Sequence, residues 1–303
     1  MTRSHDTPSL GLLPFFDQRI LDRSWVEGLV RLAEDAGVES LWTVEHVIFA
    51  DDYEPLYPYS ETGEAPAAPG TVMPDPLEWL SFAAALSERI KLGTSVVVAS
   101  QHSAAVLAKR VATLDALSGG RVCLGVGLGW QKEEYRACGI PYEARGARLD
   151  ECIEAMRALW EPGLATYQGK FQSFERVHSD AKPAQEGGVP IVIGGSSSPA
   201  ARRAGRLGDG WYPYVISAED YAARLEELRA AARDAGRDAD AVELTVWPGS
   251  FDFSRSFDLD FVRGYVEHGV DRLIVSAPES GGNDLDSVKR LIGTYQDQIL
   301  ARL

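Results

Sequence analysis

The stretch KLGTSVVVASQHSAAVLAKRVATLDALSGGRVCLGVG, residues 91–127, contains one full repeat of the fold. Its β-branched opening reads as a strand. Residues 103–117 read as a helix stopped by Gly119-Gly120, and RVCLGVG (121–127) reads as the next strand. Strand, helix and strand in that order make a βα unit, which calls for a parallel neighbour.

Working outward, the same rhythm recurs on both sides. SLGLLPFF (9–16) is a strand, and 24–37 is a helix with Trp25, Leu29, Leu32 and Ala33 on one face, Ser24 as candidate N-cap and Gly37 as its stop. Strand 40–45 precedes helix 76–88, which has Pro76 in its first turn. Beyond the opening repeat lie helix 145–160, strand 190–195, helix 199–207, strand 210–215 and helix 218–235. VELTVWPG with helix 258–268, then DRLIVSAP with helix 285–300, complete eight strand–helix units. Eight units in 303 residues predict an α/β fold, a closed (β/α)8 TIM barrel, in preference to an open doubly wound sheet.

Two insertions interrupt the rhythm of a single domain spanning 1–303. Residues 47–75, after strand 2, hold prolines 55, 58, 66, 69 and 74 with Phe49, Tyr53, Tyr57 and Tyr59. A loop that long reads as a lid over the catalytic face. Residues 161–189, before strand 5, contain TYQGKFQSFERV, a small hairpin around Gly169.

Composition narrows the function. Acids number 45 against 30 Lys plus Arg, a net charge of −15, so nucleic acid and anionic membranes are poor partners and a small-molecule substrate fits better. Cys123, Cys138 and Cys152 are odd in number with no CxxC spacing, which suits a reducing cytoplasm. No stretch is long and apolar enough for a membrane span.

Strand 2 ends in WTVEHV and delivers Glu45 and His46 to the catalytic end. Imidazole titrates near neutrality, so His46 is the candidate proton donor; the residues alone favour a hydrogen-bonded structural histidine. PIVIGGSSSPAARRAG places Gly194, Gly195, Ser196 and Ser197 between a buried strand and a helix opened by Pro199. Glycine amides, hydroxyls and a helix N-terminus suit a phosphate. An unliganded turn with Ser198 as N-cap is the equal alternative.

Gly125-Val126-Gly127-Leu128-Gly129-Trp130 is not a dinucleotide fingerprint, because its third glycine comes one residue early. Room for a flat ligand and close strand packing explain these glycines equally well. Glu133 and Glu134 open the next helix, where carboxylates suit the dipole with or without chemistry. Histidines 5, 46, 102, 178 and 268 form no HxH or HExxH pair, which predicts no metal site. Only Glu45 stands obviously at a strand end, against the two carboxylates a glycosidase needs.

PDPLEWLSFAAALSERIKLGTSVVV, LAKRVATLDALSGGRVCLGVGLGWQKEEYRACGIPYEARGARLDE, PIVIGGSSSPAARRAGRLGDGWYP and the lid segment YPYSETGEAP resemble the luciferase-like monooxygenase family, above all its branch using the deazaflavin coenzyme F420. The resemblance runs nearly the whole chain. It implies a flavoprotein-type barrel, often a homodimer, with the ring at the strand C-termini. It assigns His46 a place beside the reactive ring as catalytic residue, with Glu45 where some relatives carry Asp. Ser95-Val96 matches a bulge behind the ring that is a non-prolyl cis peptide in deazaflavin members, and Gly194, Gly195, Ser196 and Ser197 match the cofactor phosphate region. Trp130 stands where some sugar-phosphate dehydrogenases of the family carry Glu, so their substrate does not transfer. The expected function is coenzyme F420-dependent hydride transfer with a small organic substrate. The alternatives are an FMN-dependent monooxygenase and a flavin-binding protein without catalysis.

Overall fold

A computed structural model describes residues 7–66 and 71–303; His5 and Pro69 lie outside them. β1 (Ser9–Leu13) leads to α1 (Arg23–Asp35), whose N-cap is Asp22, with its carboxylate accepting from the Trp25 N–H, and not Ser24. The face that α1 buries is Val26, Leu29, Val30 and Ala33, with Trp25 and Leu32 at its margin. β2 (Ser40–Thr43) is shorter than the sequence pattern suggests, because Glu45 and His46 have already left the ladder. α2 (Pro76–Leu86) starts at its proline, capped by Asp75.

β3 (Lys91–Thr94), α3 (Ala104–Ser118) and β4 (Val122–Val126) form the repeat read first, and Gly119 ends α3 at φ +74°. A short α4 (Lys132–Ala137) precedes α5 (Arg145–Trp160). The predicted hairpin is present as β5 (Leu164–Gln168) and β6 (Ser173–His178), a separate antiparallel pair. Its turn lies along α5: Glu151 accepts from the N–H groups of Lys170, Phe171 and Gln172, and the Arg148 guanidinium covers the Phe171 ring. β7 (Ile191–Gly194), α6 (Ser198–Leu207), β8 (Gly210–Tyr212), α7 (Ala218–Asp234), β9 (Glu243–Val246), α8 (Leu259–Val266), β10 (Arg272–Ser276) and α9 (Leu285–Gln298) complete the chain.

The strands close in the order β1-β10-β9-β8-β7-β4-β3-β2, every pair parallel, so the fold is the predicted (β/α)8 barrel. Leu13, Trp42, Cys123, Val192, Tyr212 and Ile274 fill the interior. At the strand N-termini Arg272 seals the floor. It donates to both oxygens of Glu39 (2.7 and 2.9 Å) and to Glu243, and Lys91 joins Glu39 at 2.8 Å. Barrel enzymes work at the opposite end, where the strands deliver their C-terminal residues. No described helix is long and apolar enough to cross a membrane.

Candidate functional site

At the C-terminal end of β2 successive residues face opposite ways. His46 turns its ring to the mouth and gives Nδ1 to Glu134 Oε2 at 3.1 Å, while Glu134 Oε1 accepts from the Val47 N–H at 2.6 Å. Glu134 is fully buried in α4, so its charge is met by these partners instead of by water. Glu45 goes the other way. Its carboxylate accepts from the Val98 N–H (2.7 Å) and contacts His102 Nε2 (3.0 Å), a buried tie between the ends of β2 and β3 and not a free group in the mouth.

The Ser95–Val96 bond is cis. Val96 lies between two glycines: a Cβ on Gly127 would stand 2.5 Å from one of its γ-methyls, and a Cβ on Gly194 2.5 Å from the other. Gly125 would place a Cβ 1.7 Å from the Thr94 carbonyl oxygen, so this glycine serves close packing of β3 on β4 and leaves no room for a ligand there.

The turn after β7 has Gly195 at φ +106°, a conformation that side chains resist. The N-cap of α6 is Ser197, not Ser198: its Oγ accepts from the Ala200 N–H, while Ser198 bonds Glu227. Ser196 spends its hydroxyl on the Tyr214 carbonyl and accepts from the Tyr214 N–H at 3.0 Å. The anion donors left are therefore the N–H groups of Ser197 and Ser198 and the Ser197 hydroxyl, at the positive end of a ten-residue helix.

Aromatic rings of the lid connect the two places. Trp130 lies 6.0 Å from His46, 5.9 Å from Phe49, 5.0 Å from Tyr53 and 5.4 Å from Tyr57, centroid to centroid. Tyr59 continues the row, 5.5 Å from Tyr57 and 5.1 Å from Tyr214, with its phenol in hydrogen-bonding reach of Ser196. Burial pushes the Tyr57, Tyr59 and Tyr214 phenols up; Tyr57 donates to Tyr214, and Tyr59 accepts from Ser196. The lid holds its shape through Gly63, at φ +74°, where a Cβ would stand 2.0 Å from the Pro55 carbonyl oxygen.

Across the mouth Tyr214 meets Trp247, whose indole N–H donates to Glu279 Oε1 at 2.5 Å; Glu279 Oε2 is buried without a hydrogen-bond partner. Burial pushes this carboxyl up to about 7, against hydrogen bonds from Trp247, the Ser276 backbone and Ser256. Among the described residues no group of three or more His, Cys, Asp or Glu is placed to hold a metal ion.

His46, Val96 and the Gly194–Ser197 turn stand at the C-terminal ends of β2, β3 and β7, at one end of the barrel, while Glu45 is buried against Val98 and His102. Glu134, Tyr214, Trp247 and Glu279 were not singled out for chemistry. Glu134 was visible only as a helix-start acid, and nothing in the local sequence joins it to His46. The fit to a flat ring with an anionic tail rests on two features of this geometry: glycines packed on Val96 where the wall must be flat, and unspent N–H donors at the start of α6.

Residues 23–254 match the family described as luciferase-like monooxygenase. A protein of Mycobacterium tuberculosis named only as uncharacterized is 33% identical over 280 residues, 90% of this chain and 92% of that one. An F420-dependent glucose-6-phosphate dehydrogenase of Nocardia farcinica is 33% identical over 224 residues, 71% of this chain and 61% of that protein. The solved coenzyme F420 dependent tetrahydromethanopterin reductase of Methanopyrus kandleri superposes with a TM-score of 0.73, covering 98% of this chain and 99% of its own at 16% identity, which is a likeness of fold.

Proposed function

Because the chain belongs to the luciferase-like monooxygenase family, a family of oxidoreductases, we propose that it is a coenzyme F420-dependent oxidoreductase acting on a small organic substrate. The observation that carries this reading is the pairing, at one barrel end, of a carboxylate-held imidazole with a helix start whose donors are unspent. When bound, a reduced deazaflavin supplies a hydride to carbon. Val96, Gly127 and Gly194 form the wall behind the ring, and the amides of Ser197 and Ser198 with the Ser197 hydroxyl take the ribityl phosphate. Glu134 fixes the tautomer of His46 by accepting from Nδ1–H, which leaves Nε2 to exchange a proton with the substrate oxygen. The lid would exclude water, with Tyr59 held beside the turn that would receive the tail.

An FMN-dependent monooxygenase is the second reading, since the same donors suit the phosphate of either cofactor. The reading includes a homodimer in a reducing cytoplasm, in keeping with three free cysteines. Titration with each cofactor, followed by oxygen-electrode measurement during turnover, tests it. Binding of coenzyme F420 without oxygen uptake is the expected result, oxygen uptake with FMN selects the monooxygenase, and failure of both to bind refutes the reading. His46→Ala should keep the cofactor and lose turnover; an unchanged rate would remove His46 from the chemistry.

A further inference from the structure

We infer that the substrate taken up beside His46 is an uncharged, largely apolar molecule with a single polar reacting group, and that anionic substrates are excluded. This rests on the proposed function and specifies its substrate class.

The entrance is apolar on two sides. Val47, Ile48 and Phe49 follow His46 directly and remain exposed (54, 41 and 39%), and Phe251 and Phe253, on the loop after β9, are exposed at the same barrel end (48 and 52%). Five large apolar side chains in water at one mouth represent surface that a ligand covers favourably, at about 25 cal/mol per Å² buried.

The charge of the lid has one sign. The lid, residues 47–75, carries six acids (Asp51, Asp52, Glu54, Glu61, Glu64 and Asp75) and no lysine or arginine. Of the cations on loops at that end, Arg19 is held by Asp17, Lys132 by Glu54 and Arg255 by Asp258, and the Arg145 guanidinium lies over the Tyr142 ring. Glu134 adds a buried carboxylate directly behind His46. An anionic substrate approaching His46 would meet the lid carboxylates on the way in and the buried Glu134 carboxylate behind the ring. Inside the entrance the wall is Trp130, Tyr53 and Trp247, which offer ring surface and few donors.

The test uses a matched pair of ring ketones, 4-methylcyclohexanone and 4-oxocyclohexanecarboxylate, titrated calorimetrically into the full chain loaded with its cofactor. Cofactor loading is checked first and separately by fluorescence, so failure to load counts against the proposed function and not against this inference. On the loaded protein the neutral ketone is expected to bind at least about tenfold more tightly than the carboxylate, a difference of about 1.4 kcal/mol. Added salt should raise the affinity of the carboxylate alone. Phe49→Arg should narrow the ratio, and Ile48→Arg serves should that variant not fold. Equal or tighter binding of the carboxylate, or binding of neither ketone by the loaded protein, overturns the inference.

Discussion

Glu134 holds His46 by Nδ1 at 3.1 Å from a position 88 residues further along the chain. Its other oxygen fixes the Val47 N–H, so one carboxylate sets both the ring and the backbone that carries it. Glu134→Gln keeps the shape and removes the charge. We expect kcat to fall by about tenfold or more with cofactor affinity unchanged, read by steady-state rates beside a binding titration. Equal loss of both would make Glu134 a purely structural residue.

Gly194→Ala places a methyl group 2.5 Å from a Val96 γ-carbon. Overpacking of this kind costs about 1–3 kcal/mol, and the displaced Val96 should weaken cofactor binding as well. Val96→Ala in the same chain makes room, so the double variant should regain thermal stability. A Gly194→Ala protein with unchanged melting temperature would show that the wall yields.

Tyr59 bonds Ser196 and so stands next to the Ser197–Ser198 donors that the cofactor tail is expected to reach. Tyr59→Ala should therefore raise the association rate of the cofactor several-fold in stopped-flow fluorescence. A slower rate would mean that the phenol guides the tail instead of standing in its way.

Glu279 links pH to stability in a definite direction. Burial raises its carboxyl to about 7 in the folded protein, so between about 4.5 and 7 the folded chain holds a proton that the unfolded chain has lost. Stability then falls as pH rises through that window, by about 1–3 kcal/mol from this group. Glu279→Gln should flatten the slope of melting temperature against pH, and an unaltered slope would contradict the assignment.

The barrel floor behaves in the opposite sense. Burial works against the Glu39 charge, but Arg272 and Lys91 hold its carboxyl down at about 2. Its contribution is present above about 4.5 and is lost as pH falls towards 2, visible as acid unfolding by circular dichroism. Arg272→Leu leaves Glu39 and Glu243 facing each other across the floor and should destabilise by about 3–5 kcal/mol.

The eight βα units were legible because strand and helix periods differ and glycines mark the ends, Gly119 above all. Caps were less so: Asp22 and Ser197 each stand beside another plausible cap, and the backbone path, not residue type, decides between them. Of the site, His46 and the Gly194–Ser197 turn could be read from their strand ends. The opposite orientations of Glu45 and His46 could not, since Glu45 finds its partners on the next strand and beyond, at Val98 and His102. Gly125 was ambiguous for the same reason, because the Thr94 carbonyl that demands it belongs to a neighbouring strand.

The β5–β6 hairpin shares no ladder with the closed ring and is fastened through Glu151 to the outside of one helix. Its length and sequence can therefore drift, or be exchanged by an engineer, while the catalytic scaffold keeps its register.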